Sequence, residues 1–281
     1  MRKKMLFAVF SVMVILSVAV SPVGAVTNGQ PDGDNHPYVG LLVFDVAPGV
    51  PGWRCSGSLI APNVVLTAGH CTDGAVAARV WFDEDVTYDN VPFPLYPYGG
   101  LGSGAIEGTA YTYVDFCTGC GNGLPEFAHG DVGIVVLDED VDVGGFAELP
   151  TAGLVDTLKN KTGIDFVGYG VKYQAKVPGN QLPQPPPYYR WTGPRTRYYA
   201  PSELVSGKFV HSDEYMRLAL NPGGGSGGLC FGDSGGPDLL GGTNTVLAVN
   251  SYVTNINCSG VGYSFRVDTP EVLDWINTFL P

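Results

Sequence analysis

Charge is what this 281-residue chain has least of: Asp, Glu, Lys and Arg make up 15% of it, against roughly 25% in an average globular protein. Basic residues are the scarcer kind, with 15 Lys and Arg against 27 Asp and Glu and a net charge of −12. That balance argues against DNA, anionic lipid or any other polyanion as a partner. Histidine is rare at four residues. No second CxxC or HxxxH accompanies Cys117-Thr118-Gly119-Cys120, so a zinc site has few ligands to draw on. No apolar stretch of about 20 residues follows the first 25, which excludes a later membrane-spanning helix, and no repeat of fixed period is visible. What remains is 44% hydrophobic, too apolar for disorder. The 40 glycines and 22 prolines stay below the roughly 25–30% of low-complexity chains. They punctuate short strands instead, and collagen and coiled coil are excluded.

The first 25 residues stand apart. Arg2, Lys3 and Lys4 precede an apolar run from Met5 to Val20, and Val23-Gly24-Ala25 supplies the small residues of a signal-peptidase site. The expectation is a secretory signal peptide over residues 1–25, cut after Ala25. An uncleaved anchor fits less well, because the run is near the lower limit for spanning and Ser21-Pro22 interrupts it. Loss of the three basic residues takes the net charge from −12 to −15. The remaining chain is expected to be secreted and extracellular, a monomer away from the membrane.

Export decides how the six cysteines are read, since thiols in an oxidising compartment pair. Six allow 15 connectivities, and spacing alone does not choose among them. Cys117 and Cys120 have zinc-ligand or redox spacing, but a local disulfide between them is the expectation.

Along the chain, short apolar or β-branched runs lie between Gly, Pro, Asn and Asp: Tyr38 to Phe44, Val64 to Ala68, Gly133 to Leu137, Ile164 to Tyr169, Thr245 to Tyr252 and Val261 to Val267. Such a pattern predicts an all-β barrel or sandwich. One segment reads as helix, with Thr269 as N-cap, Pro270 at the first position, and Val272, Leu273, Trp275, Ile276 and Phe279 at spacings of three and four. A Pro-rich stretch from Val177 to Pro194 is the main irregular insertion. Its neighbourhood up to Tyr199, with Trp191, Arg190, Arg195 and Arg197, is expected to be an exposed loop, an extended rim for substrate being the alternative. Asp83-Glu84-Asp85 and the acidic run Asp138 to Asp142 lack the spacing of an EF-hand and read as solvated loops.

Chemistry enters at three places. Gly232-Asp233-Ser234-Gly235-Gly236-Pro237 sets a serine among glycines, where backbone N–H groups can face a ligand oxygen. A serine hydroxyl needs a base within reach, and an imidazole base needs a carboxylate to fix its tautomer. Thr67-Ala68-Gly69-His70-Cys71 and His129-Gly130-Asp131-Val132-Gly133-Ile134 offer these, in the order His, Asp, Ser. His36, His129 and His211 lack such a context and are expected in ordinary surface or core roles.

With these motifs the chain resembles the trypsin/chymotrypsin-like serine proteases from Val26 to the C-terminal helix. The Pro-rich insertion and the loop around Gly99 match poorly. The resemblance implies an all-β fold of two six-stranded antiparallel β-barrels with a C-terminal α-helix, the halves dividing at about residues 145–160 within a domain of residues 26–281. It also implies His70 as general base, Asp131 as its orienting acid and Ser234 as nucleophile, with the N–H groups of Gly232 and Ser234 as oxyanion hole. It pairs Cys55 with Cys71 and Cys230 with Cys258, leaving Cys117–Cys120. The substrate is then a polypeptide, with no cofactor and no metal.

Two finer expectations follow from the resemblance. Val26 would be the mature N-terminus, its α-ammonium paired with Asp233, and signal peptidase itself would create it. The specificity pocket would be formed by Gly228, Ser251, Val253 and Val261. With no carboxylate at Gly228 and valines at two wall positions, it should be shallow and favour small or medium uncharged residues. The alternative is a noncatalytic binding protein on the same scaffold.

Overall fold

The computed structural model describes residues 29–86, 104–120, 128–171, 173–177, 188–192, 195–207, 210–221 and 227–281. The expected signal segment, Val26 and most of the Pro-rich insertion lie outside the described residues.

In chain order the strands are β1 (Gln30–Pro31), β2 (Val39–Ala47), β3 (Val50–Ala61), β4 (Val64–Thr67), β5 (Ala77–Trp81), β6 (Ile106–Thr112), β7 (Cys117–Thr118), β8 (Ala128–His129) and β9 (Gly133–Leu137). They continue as β10 (Gly163–Gly168), β11 (Tyr173–Val177), β12 (Tyr188–Thr192), β13 (Tyr198–Glu203), β14 (Tyr215–Leu220), β15 (Pro237–Leu240), β16 (Val246–Val253) and β17 (Gly260–Arg266). A one-turn helix α1 (Gly69–Thr72) follows β4, and α2 (Pro270–Asn277) ends the chain.

Strands β2-β3-β4-β9-β6-β5 form a closed antiparallel barrel. Closure leaves no free edge, and Leu41, Leu59, Leu66, Val80 and Ile134 are fully buried in it, each contributing on the order of 1.5–3 kcal/mol. The second half is a sheet in the order β1-β13-β10-β15-β16-β17-β14. Strand β13, next to β1, and the end strand β14 meet through a bridge at Leu204–Leu218, the bond from Ser202 Oγ to the Ala219 carbonyl at 2.6 Å and that from the Val205 N–H to the Arg217 carbonyl at 3.0 Å. Six strands thus curl almost to closure, with two-residue β1 appended. This is the two-barrel arrangement with a C-terminal helix that the resemblance implies.

All six apolar runs are strands. Helix α2 starts at Pro270 as expected and buries Val272 and Ile276. It docks on the first barrel through Trp275 against Tyr113, ring centroids 5.2 Å apart, and Phe279, just beyond the helix, packs on Tyr111 at 5.0 Å. Among the described residues no helix is long and apolar enough to cross a membrane.

One expectation needs correction. The end of the region expected as an exposed loop is interior: Arg197, just before β13, is 1% exposed. Its Nε donates to Asp32 Oδ2 at 2.8 Å, and its Nη atoms donate to the carbonyls of Gly33 at 2.9 Å and Phe82 at 2.9 Å. A buried guanidinium is tolerated only when so fully paired. The pair pins the segment after β1 against the second half.

Candidate active site

The residues singled out in the sequence arrive from both halves. His70 sits on α1, Asp131 in the link from β8 to β9, Ser234 in the turn before β15 and Ser251 on β16. Pairing of β4 with β9 sets Thr67 opposite Gly133, which brings the chain just after Thr67 beside the chain just before Gly133. The disulfide Cys55–Cys71 holds α1 to β3, its Cα atoms 6.3 Å apart.

Asp131 is fully buried and its carboxylate is encircled by donors. The His70 N–H donates to Oδ1 at 2.8 Å, the His70 Nδ1 lies 2.9 Å from Oδ2, and the Ser251 hydroxyl donates to Oδ2. Burial alone would raise the Asp131 pKa, but His70 and Ser251 outweigh it and hold the carboxyl below its ordinary value. In the same pair, burial disfavours charge on the His70 ring, and the adjacent Asp131 carboxylate overrides it, so His70 titrates above the usual imidazole range. The ring is thereby held with Nδ1 toward the acid and Nε2 on its far side.

The serine turn is fixed by its own carbonyls. Ser56 takes up two of them, with its Oγ donating to Gly232 O at 3.0 Å and its N–H to Ser234 O at 2.8 Å. The Phe231 carbonyl accepts from the Val171 N–H at 2.8 Å and the Asp233 carbonyl from the Gly236 N–H at 2.9 Å. In a planar trans peptide the N–H points opposite its carbonyl, so the N–H groups of Gly232 and Ser234 are turned away from these partners. Gly232 has φ +94° and Gly235 φ +75°, and a Cβ at Gly235 would lie 2.0 Å from Thr67 Oγ1. Only glycine allows that turn and that approach.

Asp233 is buried, its carboxylate accepting the N–H groups of Gly170 at 2.7 Å and Cys230 at 2.9 Å. Its expected partner Val26 lies outside the described residues.

His70 and Ser234 open onto one cavity of about 220 Å³, lined also by Leu229, Cys230, Phe231, Ser251, Tyr252 and Val253. Of the expected pocket residues, Ser251 and Val253 line it. Gly228 is not among the lining residues and packs against Leu220, and Val261 pairs with Ala219 in the β14–β17 ladder. Leu229, Phe231 and Tyr252 were not singled out. Their adjacency to the serine motif and to Ser251 was the available signal.

All three cysteine pairs are disulfides, with Cys117–Cys120 and Cys230–Cys258 at Cα separations of 6.0 and 5.3 Å. Among the described residues the one cluster with metal-ligand spacing is Cys55, His70 and Cys71, whose sulfurs are consumed in a disulfide. The other histidines stand beside acids: His36 Nδ1 is 2.6 Å from Asp32, His211 Nδ1 is 3.6 Å from Asp156, and His129 pairs with Glu214.

The Trypsin family model matches residues 28–276. Chymotrypsin-like elastase family member 3B of Macaca mulatta is 28% identical over 212 residues, which is 73% of each chain. Serine protease 1 of Drosophila melanogaster is 27% identical over 261 residues, 90% of this chain and 84% of the relative. The solved structure of HL collagenase superposes with a TM-score of 0.62 at 20% identity, covering 88% of this chain and 96% of the other. A barrel closed on itself, a second one nearly so, a histidine clamped to a buried aspartate at their junction and a family match along nearly the whole chain lead to one assignment: the chain belongs to the trypsin family of serine proteases.

Proposed function

We propose that the protein is a secreted serine endopeptidase that cuts peptide bonds through an acyl-enzyme, preferring small or medium uncharged residues on the acyl side. The observation that carries this reading is the clamp of His70 on Asp131 beside a cavity that His70 shares with Ser234.

Ser234 Oγ attacks the scissile carbonyl carbon while its proton passes to His70 Nε2. Asp131 stabilises the imidazolium without taking the proton. Negative charge on the former carbonyl oxygen is met by the N–H groups of Gly232 and Ser234, preorganised donors worth several kcal/mol in such sites. His70 then gives its proton to the leaving amine, and the C–N bond breaks to leave the ester on Ser234. Water, deprotonated by His70, attacks the ester carbonyl; the ester C–O bond then breaks, His70 returns the proton to Ser234 Oγ, and the acid leaves.

The preference rests on a cleft lined by Leu229 and Val253, with no carboxylate among the described residues that line it. Arg or Lys would bury an unpaired charge there. Secretion rests on the basic, apolar and small-residue segments of residues 1–25, with the chain from Val26 as a monomer whose halves divide at about residues 145–160 and whose α-ammonium meets Asp233. Hydrolysis of chromogenic peptides differing at the acyl-side residue tests the reading. Cleavage after Ala or Val, lost in Ser234→Ala, is expected. A strong preference for Arg or Lys removes the pocket assignment, and no cleavage with any peptide leaves a binding protein on the protease scaffold.

A further inference from the structure

The cleft beside Ser234 is backed by leucine from two different parts of the chain. Leu229 lines it. Leu220, at the end of β14, is not among the lining residues, yet it packs against Gly228 and Gly262, the glycines beside that leucine. A Cβ added at Gly228 would lie 2.3 Å from Leu220 Cδ2. A Cβ added at Gly262 would lie 2.9 Å from Leu229 Cδ2 and 3.2 Å from both Leu220 Cδ atoms. The two isobutyl groups therefore converge on the same point, where Gly262 has no side chain to part them.

The sheet explains how they meet. Gly262 pairs with Val253, a cleft residue, on one side and with Leu218 on the other, so β17 stands between the cleft wall and β14. Leu220 is 1% exposed and Leu229 3%, and both belong to the apolar core of the second half. At interior packing density a leucine in that position leaves its neighbour no room to withdraw.

We infer that Leu220, a buried residue that does not line the cavity, sets the depth of the acyl-side pocket by holding Leu229 forward into the cleft. It is a positioning residue for specificity: the plug comes from β14, across two glycines, rather than from the pocket wall. Shortening Leu220 lets the Leu229 side chain fall back, and the cleft lengthens to admit leucine- and phenylalanine-sized residues. This deepens the peptidase reading and rests on it.

The test compares wild type, Leu220→Ala and Leu220→Met on tetrapeptide substrates that differ only in an acyl-side Ala, Val, Leu or Phe. Enzyme concentration is normalised by fluorophosphonate titration. The ratio of kcat/KM for Phe to that for Ala is expected to rise about tenfold or more in Leu220→Ala, the scale of a methylene-sized change in an apolar pocket. Leu220→Met, which keeps the volume, should stay near the wild-type ratio. Should Leu220→Ala fail to fold, Leu220→Val reads the same direction with a smaller rise. A folded, titratable Leu220→Ala or Leu220→Val with the wild-type ratio overturns the inference. A wild type that takes up no fluorophosphonate overturns the peptidase reading instead, so the two failures are distinct.

Discussion

The Tyr215 hydroxyl donates to the Ala128 carbonyl at 2.5 Å in a buried hydrogen bond. It joins β14 of the second half to the short strand three residues before Asp131. Ser251, on β16 of the same half, donates to Asp131 itself. The acid that orients His70 is thus fastened to the opposite half of the molecule at two points.

Tyr215→Phe removes one fastening and leaves the Ala128 carbonyl without its donor, at a cost of about 1–3 kcal/mol. Urea unfolding should show that loss. Steady-state kinetics should show kcat reduced severalfold with KM nearly unchanged, since the ring still fills its place. An unchanged kcat in the folded variant means that the phenol is only structural.

The acid limb of activity follows from the direction in which His70 is shifted. As the proposed general base His70 must be unprotonated, so kcat/KM is expected to rise with pH through its pKa, which Asp131 holds above the usual imidazole value. In Asp131→Asn that influence is gone and burial remains. The limb should move to lower pH, while the plateau falls by about 10⁴ through loss of the correct tautomer. A pH–rate profile whose limb stays in place would contradict the assignment.

Asp238 on β15 is fully buried, and burial holds its carboxyl well above the ordinary range, against a smaller opposing pull from Ser264. Between the unfolded and the folded pKa the native state keeps a proton that the unfolded chain has lost. Stability therefore declines as pH rises through that window. Asp238→Asn should flatten this slope in urea unfolding measured from pH 4 to pH 8. A slope equal to that of the wild type would show that Asp238 titrates normally.

The strands and the reacting groups are legible in the sequence for a local reason. β4, β9, β10, β16 and β17 are apolar runs between breakers, and the His70, Asp131 and Ser234 neighbourhoods are contiguous motifs. β3 is not legible as an apolar run, because most of its buried positions are taken by Arg54, Cys55, Ser56, Gly57 and Ser58, with Ser56 holding the serine turn. Leu220 and Tyr215 were missed because each acts across the sheet on a segment remote in sequence. The burial of Arg197 is not legible in the sequence, because nothing near it in the chain announces Asp32, its partner 165 residues away.

The most direct measurement is the site of covalent capture by a fluorophosphonate, mapped by peptide mass spectrometry on the purified protein. One adduct on Ser234, absent from Ser234→Ala and formed far more slowly in His70→Ala, is the predicted result. A wild type left unmodified, or modified at another residue while Ser234 remains free, would contradict the account.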